Sequence, residues 1–252
     1  MPSTHLDIPT PDGTADAFAA WPEGGGSHPG VLFYMDVIGL RPVLHEMVTT
    51  LASHGYYVLA PNVFYREGRA PIVEVPDMSS AEAREAFMGQ VLPMLGRHTV
   101  EHVERDAGAY LDFLTAQPQV APGPVGLTGY CMGGVLALRA AALRPEQVAA
   151  AASFHAGRVV TDAADSPHLL ADTIRAELHF GHAEHDDSMT PQDVKTLEQT
   201  LDAAGVPYTS EVYPDTIHGF TMADTAAYNP AALDRHWDRL LSLYGRTLGD
   251  KS

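Results

Sequence analysis

Short apolar runs alternate with segments of helical period along almost the whole chain, the pattern of strands that cross into helices over a mainly parallel sheet. Residues 5–8 and 15–20 predict an extended pair joined by a turn at Pro11, Asp12 and Gly13. After the glycine-rich loop at 22–30, residues 31–35 are apolar without interruption, which predicts a strand buried on both faces. A helix is expected at 43–54 and a strand at 56–60. A surface excursion follows at 65–78, rich in Pro, Gly and charge, and then helices at 79–95 and 99–116.

In the second of these helices Val100, Val103, Ala107, Leu111 and Leu114 recur at three- and four-residue steps and mark its buried stripe. The remainder reads as repeated βα units: a strand at 125–128 with a helix at 132–143, and a strand at 148–154. A strand at 176–181 is followed by a helix at 191–204, and a strand at 208–213 by a closing helix at 231–243. The expected fold class is α/β, a mainly parallel sheet with helices on both faces. No repeat or linker divides the chain, so residues 1–252 are expected to form one domain.

Composition narrows the function classes. With 45% hydrophobic and 19% charged residues the chain falls among globular proteins. Its 32 acidic and 15 basic residues give a net charge of -17, which opposes binding to nucleic acid or to an anionic membrane surface. No apolar stretch reaches the length of a membrane helix, and the start lacks the basic and apolar regions of a signal peptide, so a cytoplasmic location is expected. The single cysteine, Cys131, excludes an internal disulfide and must be explained by packing or by chemistry.

Gly129-Tyr130-Cys131-Met132-Gly133-Gly134 has the G-x-nucleophile-x-G form, with cysteine where serine usually stands. Such a turn between strand and helix has no room for side chains two residues either side of the nucleophile, and the helix N-terminus favours a thiolate. Two partners follow in the order acid, then histidine. The acid lies in Gly181-His182-Ala183-Glu184-His185-Asp186-Asp187-Ser188, just after a strand, where parallel sheets place their sites. Residue types alone do not choose between Asp186 and Asp187. Of 13 histidines, His218 stands on the last loop before the closing helix, followed by Gly219 and Phe220.

With these motifs the chain resembles the dienelactone hydrolase family, through GYCMGG at 129–134, GHAEHDDSMTP at 181–191, YPDTIHGF at 213–220 and the VLFYMDVIGL strand and turn at 31–40. The resemblance implies an α/β-hydrolase fold and hydrolysis of small esters or lactones without a cofactor. It implies a triad of Cys131, His218 and Asp186, and an oxyanion hole from the backbone N–H groups of Met132 and Val37. It also implies two departures. Asp36 stands where the family's dienelactone enzymes carry a glutamate that engages the resting cysteine, and Met222 stands where they carry a carboxylate-binding arginine. Neutral substrates are therefore expected to do at least as well as carboxylate-bearing ones, unless Arg66 or Arg69 substitutes.

Two other readings compete. His98-Thr99-Val100-Glu101-His102 spells an inverted zincin motif, a zinc-dependent hydrolase reading. The apolar stripe through Val100 and Val103 is expected to turn both histidines toward solvent, and no metal is expected at the 182–187 cluster either. The second alternative is a hydrolase-like fold acting only as a binding module.

Overall fold

The computed structural model describes residues 1–73 and 81–249. Part of the excursion expected at 65–78 and the first residues of the helix expected at 79 lie outside the described residues. The strands are β1 (Ser3–Thr10), β2 (Gly13–Ala20), β3 (Gly30–Tyr34), β4 (Tyr57–Pro61), β5 (Val125–Tyr130), β6 (Val148–Phe154), β7 (Glu177–His185) and β8 (Tyr208–Ile217). The helices are α1 (Pro42–Ser53), α2 (Ala81–Arg97), α3 (Val100–Thr115), α4 (Met132–Leu143), α5 (Pro191–Ala204) and α6 (Pro230–Thr247).

The strands form one sheet in the order β1-β2-β4-β3-β5-β6-β7-β8. The β1–β2 and β2–β4 pairings are antiparallel, and every other pairing is parallel. Strands β3 and β5 are buried at every position, β3 as its apolar run requires and β5 with Thr128 and two glycines among its residues. Successive strand residues face opposite sides. On β5 a Cβ at Gly126 would meet Tyr244 of α6, while one at Gly129 would meet the start of α4, so these helices cover opposite faces. Among the described residues no helix is long and apolar enough to cross a membrane.

Two strands run further than their apolar cores suggest. β7 continues through Glu184 and His185, and β8 through Asp215 and Thr216 to Ile217, with an irregularity in their pairing between Ala183 and His185. Local bonds hold this extension: Thr216 Oγ1 donates to the Tyr213 carbonyl at 2.6 Å, and the Asp215 N–H donates to Glu184 at 2.7 Å. His185 thus pairs with Ile217, and the next residue on each strand, Asp186 and His218, emerges at the same end of the sheet. A short 3₁₀ segment at Pro167–Thr173, absent from the sequence expectations, closes the loop after β6.

Candidate active site

Cys131 stands between β5 and α4 with φ 55° and ψ -121°, a left-handed conformation that costs a non-glycine residue strain. The surroundings leave it little alternative. A Cβ on Gly129 would strike the Gly133 carbonyl, and one on Gly133 would come to 2.5 Å from the carbonyl oxygens of Tyr34 and Met35. The Cys131 N–H donates to Phe154 at 3.1 Å, which fixes the turn against β6. The glycines therefore act through close backbone approach, and the strain falls on the cysteine.

The His218 ring bridges the sulfur and one carboxylate. Its Nε2 is 3.0 Å from Cys131 Sγ, and its Nδ1 is 2.7 Å from Asp186 Oδ2. Asp187 is exposed and makes no such contact, so the structure, unlike the residue types, distinguishes the two acids. The other Asp186 oxygen accepts the N–H of Ser188 at 2.9 Å and its hydroxyl at 2.5 Å, and the Asp186 side chain is 4% exposed.

Burial pushes the His218 pKa down, but the hydrogen bonds to Asp186 and Cys131 outweigh it and raise the value to about 10. Burial likewise disfavours the Asp186 carboxylate, yet its bonds from His218 and Ser188 leave its pKa below the usual range. The arrangement can hold a proton on His218 beside the sulfur across neutral pH.

A cavity of about 430 Å³ opens over this group, with Cys131, His218, Ser188, Val37 and Met132 in its wall. Met132 opens α4, where the leading N–H groups have no partner within the helix. Val37 lies in the turn after β3. Both residues expected to supply an oxyanion hole therefore border the space beside the sulfur.

The other site residues lie elsewhere than expected. Asp36 is buried and engaged by Arg41, whose Nη1 and Nη2 donate to its two oxygens at 2.7 and 2.9 Å. It therefore faces a guanidinium, not the cysteine, because a buried carboxylate needs a charge partner. Met222 is 1% exposed, packed in the core after a turn in which its N–H donates to Gly219, and it is not part of the cavity wall. The expected pocket role of Met222 is thereby corrected.

Arg66 is held by Asp12 and Asp106, and Arg69 by Asp7, both outside this cavity. The cavity's arginines are Arg139 and Arg158. Arg158 makes no ion pair among the described residues.

The His98, Glu101 and His102 motif is split. Thr99 caps α3, so His98 precedes the helix and packs on Phe64, while His102 faces the Arg97 carbonyl at 3.2 Å. His98 is partly buried rather than solvent-facing, and burial lowers its pKa to about 4. The 182–187 cluster disperses as well: His182 reaches Ser210 and Glu184 reaches Asp215. Among the described residues no three His, Cys, Asp or Glu side chains meet in a group able to hold a metal ion.

Sequence reasoning missed Ser188, Arg41, Arg158 and His155. The Asp-x-Ser spacing was a readable signal for Ser188, since an aspartate commonly accepts the N–H two residues on. His155 (φ 39°) is buried, lies 2.7 Å from Thr221 through Nε2, and sets its ring edge against His218 at 5.5 Å. Burial keeps it well below the ordinary histidine pKa, hence neutral beside a protonated His218. No local pattern announced it.

Comparison with known proteins agrees with this architecture. The model of the dienelactone hydrolase family matches residues 15–248. A protein of Synechocystis sp., provisionally named a carboxymethylenebutenolidase, is 26% identical over 245 residues, 96% of each chain. The carboxymethylenebutenolidase of Rhodococcus opacus is 27% identical over 88% of this chain and 83% of its own. A crystal structure from Klebsiella pneumoniae, provisionally named a dienelactone hydrolase, superposes with a TM-score of 0.84 at 22% identity, covering 97% of this chain and 98% of that one. The shared fold is the α/β-hydrolase fold.

Proposed function

The chain belongs to the dienelactone hydrolase family, and on that premise we propose that it hydrolyses small esters or lactones by acyl transfer through Cys131, His218 and Asp186. The observation that carries the reading is the continuous contact from Asp186 through His218 to Cys131, 2.7 Å and then 3.0 Å, in the wall of a cavity.

With the proton already held on His218 Nε2, the Cys131 sulfur attacks as a thiolate on the substrate carbonyl carbon while the carbonyl electrons move to oxygen. The N–H groups of Met132 and Val37 receive that oxyanion; backbone donors suit the task because they are fixed before the charge develops. Collapse breaks the bond to the leaving oxygen, which takes the proton from His218, and leaves a thioester. In a lactone the alcohol stays attached to the acyl group. Water then gives its proton to His218 and attacks the thioester, and the sulfur departs as a thiolate beside the protonated ring. Asp186 keeps Nδ1 protonated and the ring in place throughout. A thiolate is a good leaving group, which favours activated esters and strained lactones over amides.

A panel of esters and lactones assayed on the wild type and on Cys131→Ala tests this. Hydrolysis that disappears in the variant is the expected result. No hydrolysis by the wild type favours the binding-module reading, and full activity in the variant removes the cysteine from the mechanism. Loss of activity to a chelator with recovery on zinc addition favours a metal-dependent hydrolase.

A further inference from the structure

The cavity is asymmetric about the sulfur, and this asymmetry indicates which half of a substrate lies where. His218 must deliver its proton to the leaving oxygen, so the leaving group lies on the His218 side, which it shares with Ser188 and Gly157. The acyl half must then extend from the carbonyl into the rest of the cavity. Its apolar lining there comes from two helices: Met132, Val135 and Leu136 of α4, and Met88, Leu92 and Leu95 of α2.

The positions 88, 92 and 95 recur at helical spacing, so α2 turns one continuous apolar face to the cavity. Leu92 is nonetheless 54% exposed, an apolar surface at the cavity rim for which packing in the free protein gives no reason. The far end is polar. Arg139, seven residues along α4 from Met132 and hence about 10 Å away, donates to the Asp165 carbonyl at 2.5 Å and is 7% exposed.

We infer that the preferred substrate carries an unbranched, apolar acyl chain of medium length, lying between α2 and α4 and ending short of Arg139. The inference rests on the acyl-transfer reading above. Burial of each further methylene favours the longer ester until the chain reaches Arg139. Beyond that point an apolar tail would have to displace the hydrogen-bonded guanidinium or leave the groove.

The test is kcat/KM for the p-nitrophenyl esters of acetate, butyrate, octanoate and palmitate. Their shared leaving group makes the acyl chain the only variable. Octanoate should exceed acetate by at least about tenfold, a small part of what burying its extra methylenes could supply, and palmitate should fall below octanoate. Leu92→Asp, at an exposed position that should leave the melting temperature unchanged, should lower the octanoate-to-acetate ratio by about threefold or more.

A flat or falling series on an enzyme that hydrolyses acetate overturns the groove assignment and leaves the triad reading intact. So does a Leu92→Asp variant with the wild-type ratio and melting temperature. Failure to hydrolyse any member overturns both readings.

Discussion

Arg41 Nε donates to Asp224 Oδ2 at 2.6 Å across 183 residues of sequence, while the same guanidinium holds both oxygens of Asp36. One buried side chain thus ties the turn carrying Val37 to the loop that follows His218. Asp36 also accepts the N–H of Ile38, so Val37 sits in a turn braced from both sides. Arg41→Met should cost about 3–5 kcal/mol of unfolding free energy, because it leaves the buried Asp36 carboxylate unpaired. Denaturant melts provide the measurement, and a loss below about 1 kcal/mol would remove the brace from the account. Asp224→Asn, at a more exposed partner, should be milder.

Asp186→Asn should reduce kcat by on the order of several thousandfold, as loss of the orienting carboxylate does in related triads. Asp187→Asn should change it little, since Asp187 makes no contact with His218. Ser188→Ala removes one of the two hydrogen bonds that aim Asp186 and should lower kcat by about tenfold, a charge-assisted bond being worth about 1.5–3 kcal/mol. Equal effects at positions 186 and 187 would contradict the placement of Asp186 against His218.

Met222→Arg should destabilise the protein rather than create an anion clamp. The side chain is in the core, and an unpaired charge there costs on the order of several kcal/mol. Thermal melts of the variant separate this outcome from a gain in carboxylate selectivity. Any preference for an anionic leaving group should depend on Arg158: Arg158→Gln should weaken the kcat/KM for carboxylate-bearing esters relative to neutral ones. An unchanged ratio would exclude that role.

The raised His218 pKa has a sign that stability measurements can read. Its folded value of about 10 lies above the ordinary 6.5, so the histidine's contribution is fully present below about pH 6.5 and is lost as pH rises through 10. Unfolding free energy of the wild type should therefore fall over that window, and His218→Gln should flatten the fall. In the pH profile of kcat/KM the alkaline limb should stand near pH 10, and Asp186→Asn should move it downward by removing the charge that holds the proton.

Much of the scaffold followed from local pattern. Residues 132–143, 148–154 and 191–204 are identical to α4, β6 and α5, because helical and extended periods and their terminating residues are short-range properties. The glycines around Cys131, and the order of acid and histidine after it, were likewise written in the chain. Three things were not. Asp186 and Asp187 are neighbours of the same type, and only the extended pairing of β7 with β8, up to His185 and Ile217, decides which of them meets His218. Met222 lies in the core, and the cavity wall carries Arg158, which no local pattern announced, since whether a loop side chain enters the core or the cavity depends on elements packed from distant sequence. The Arg41 bridge joins residues 183 positions apart. The sequence determined the elements and their chemistry because those depend on near neighbours; register and side-chain direction at the strand ends were left to tertiary structure, because they depend on contacts that exist only once the sheet has formed.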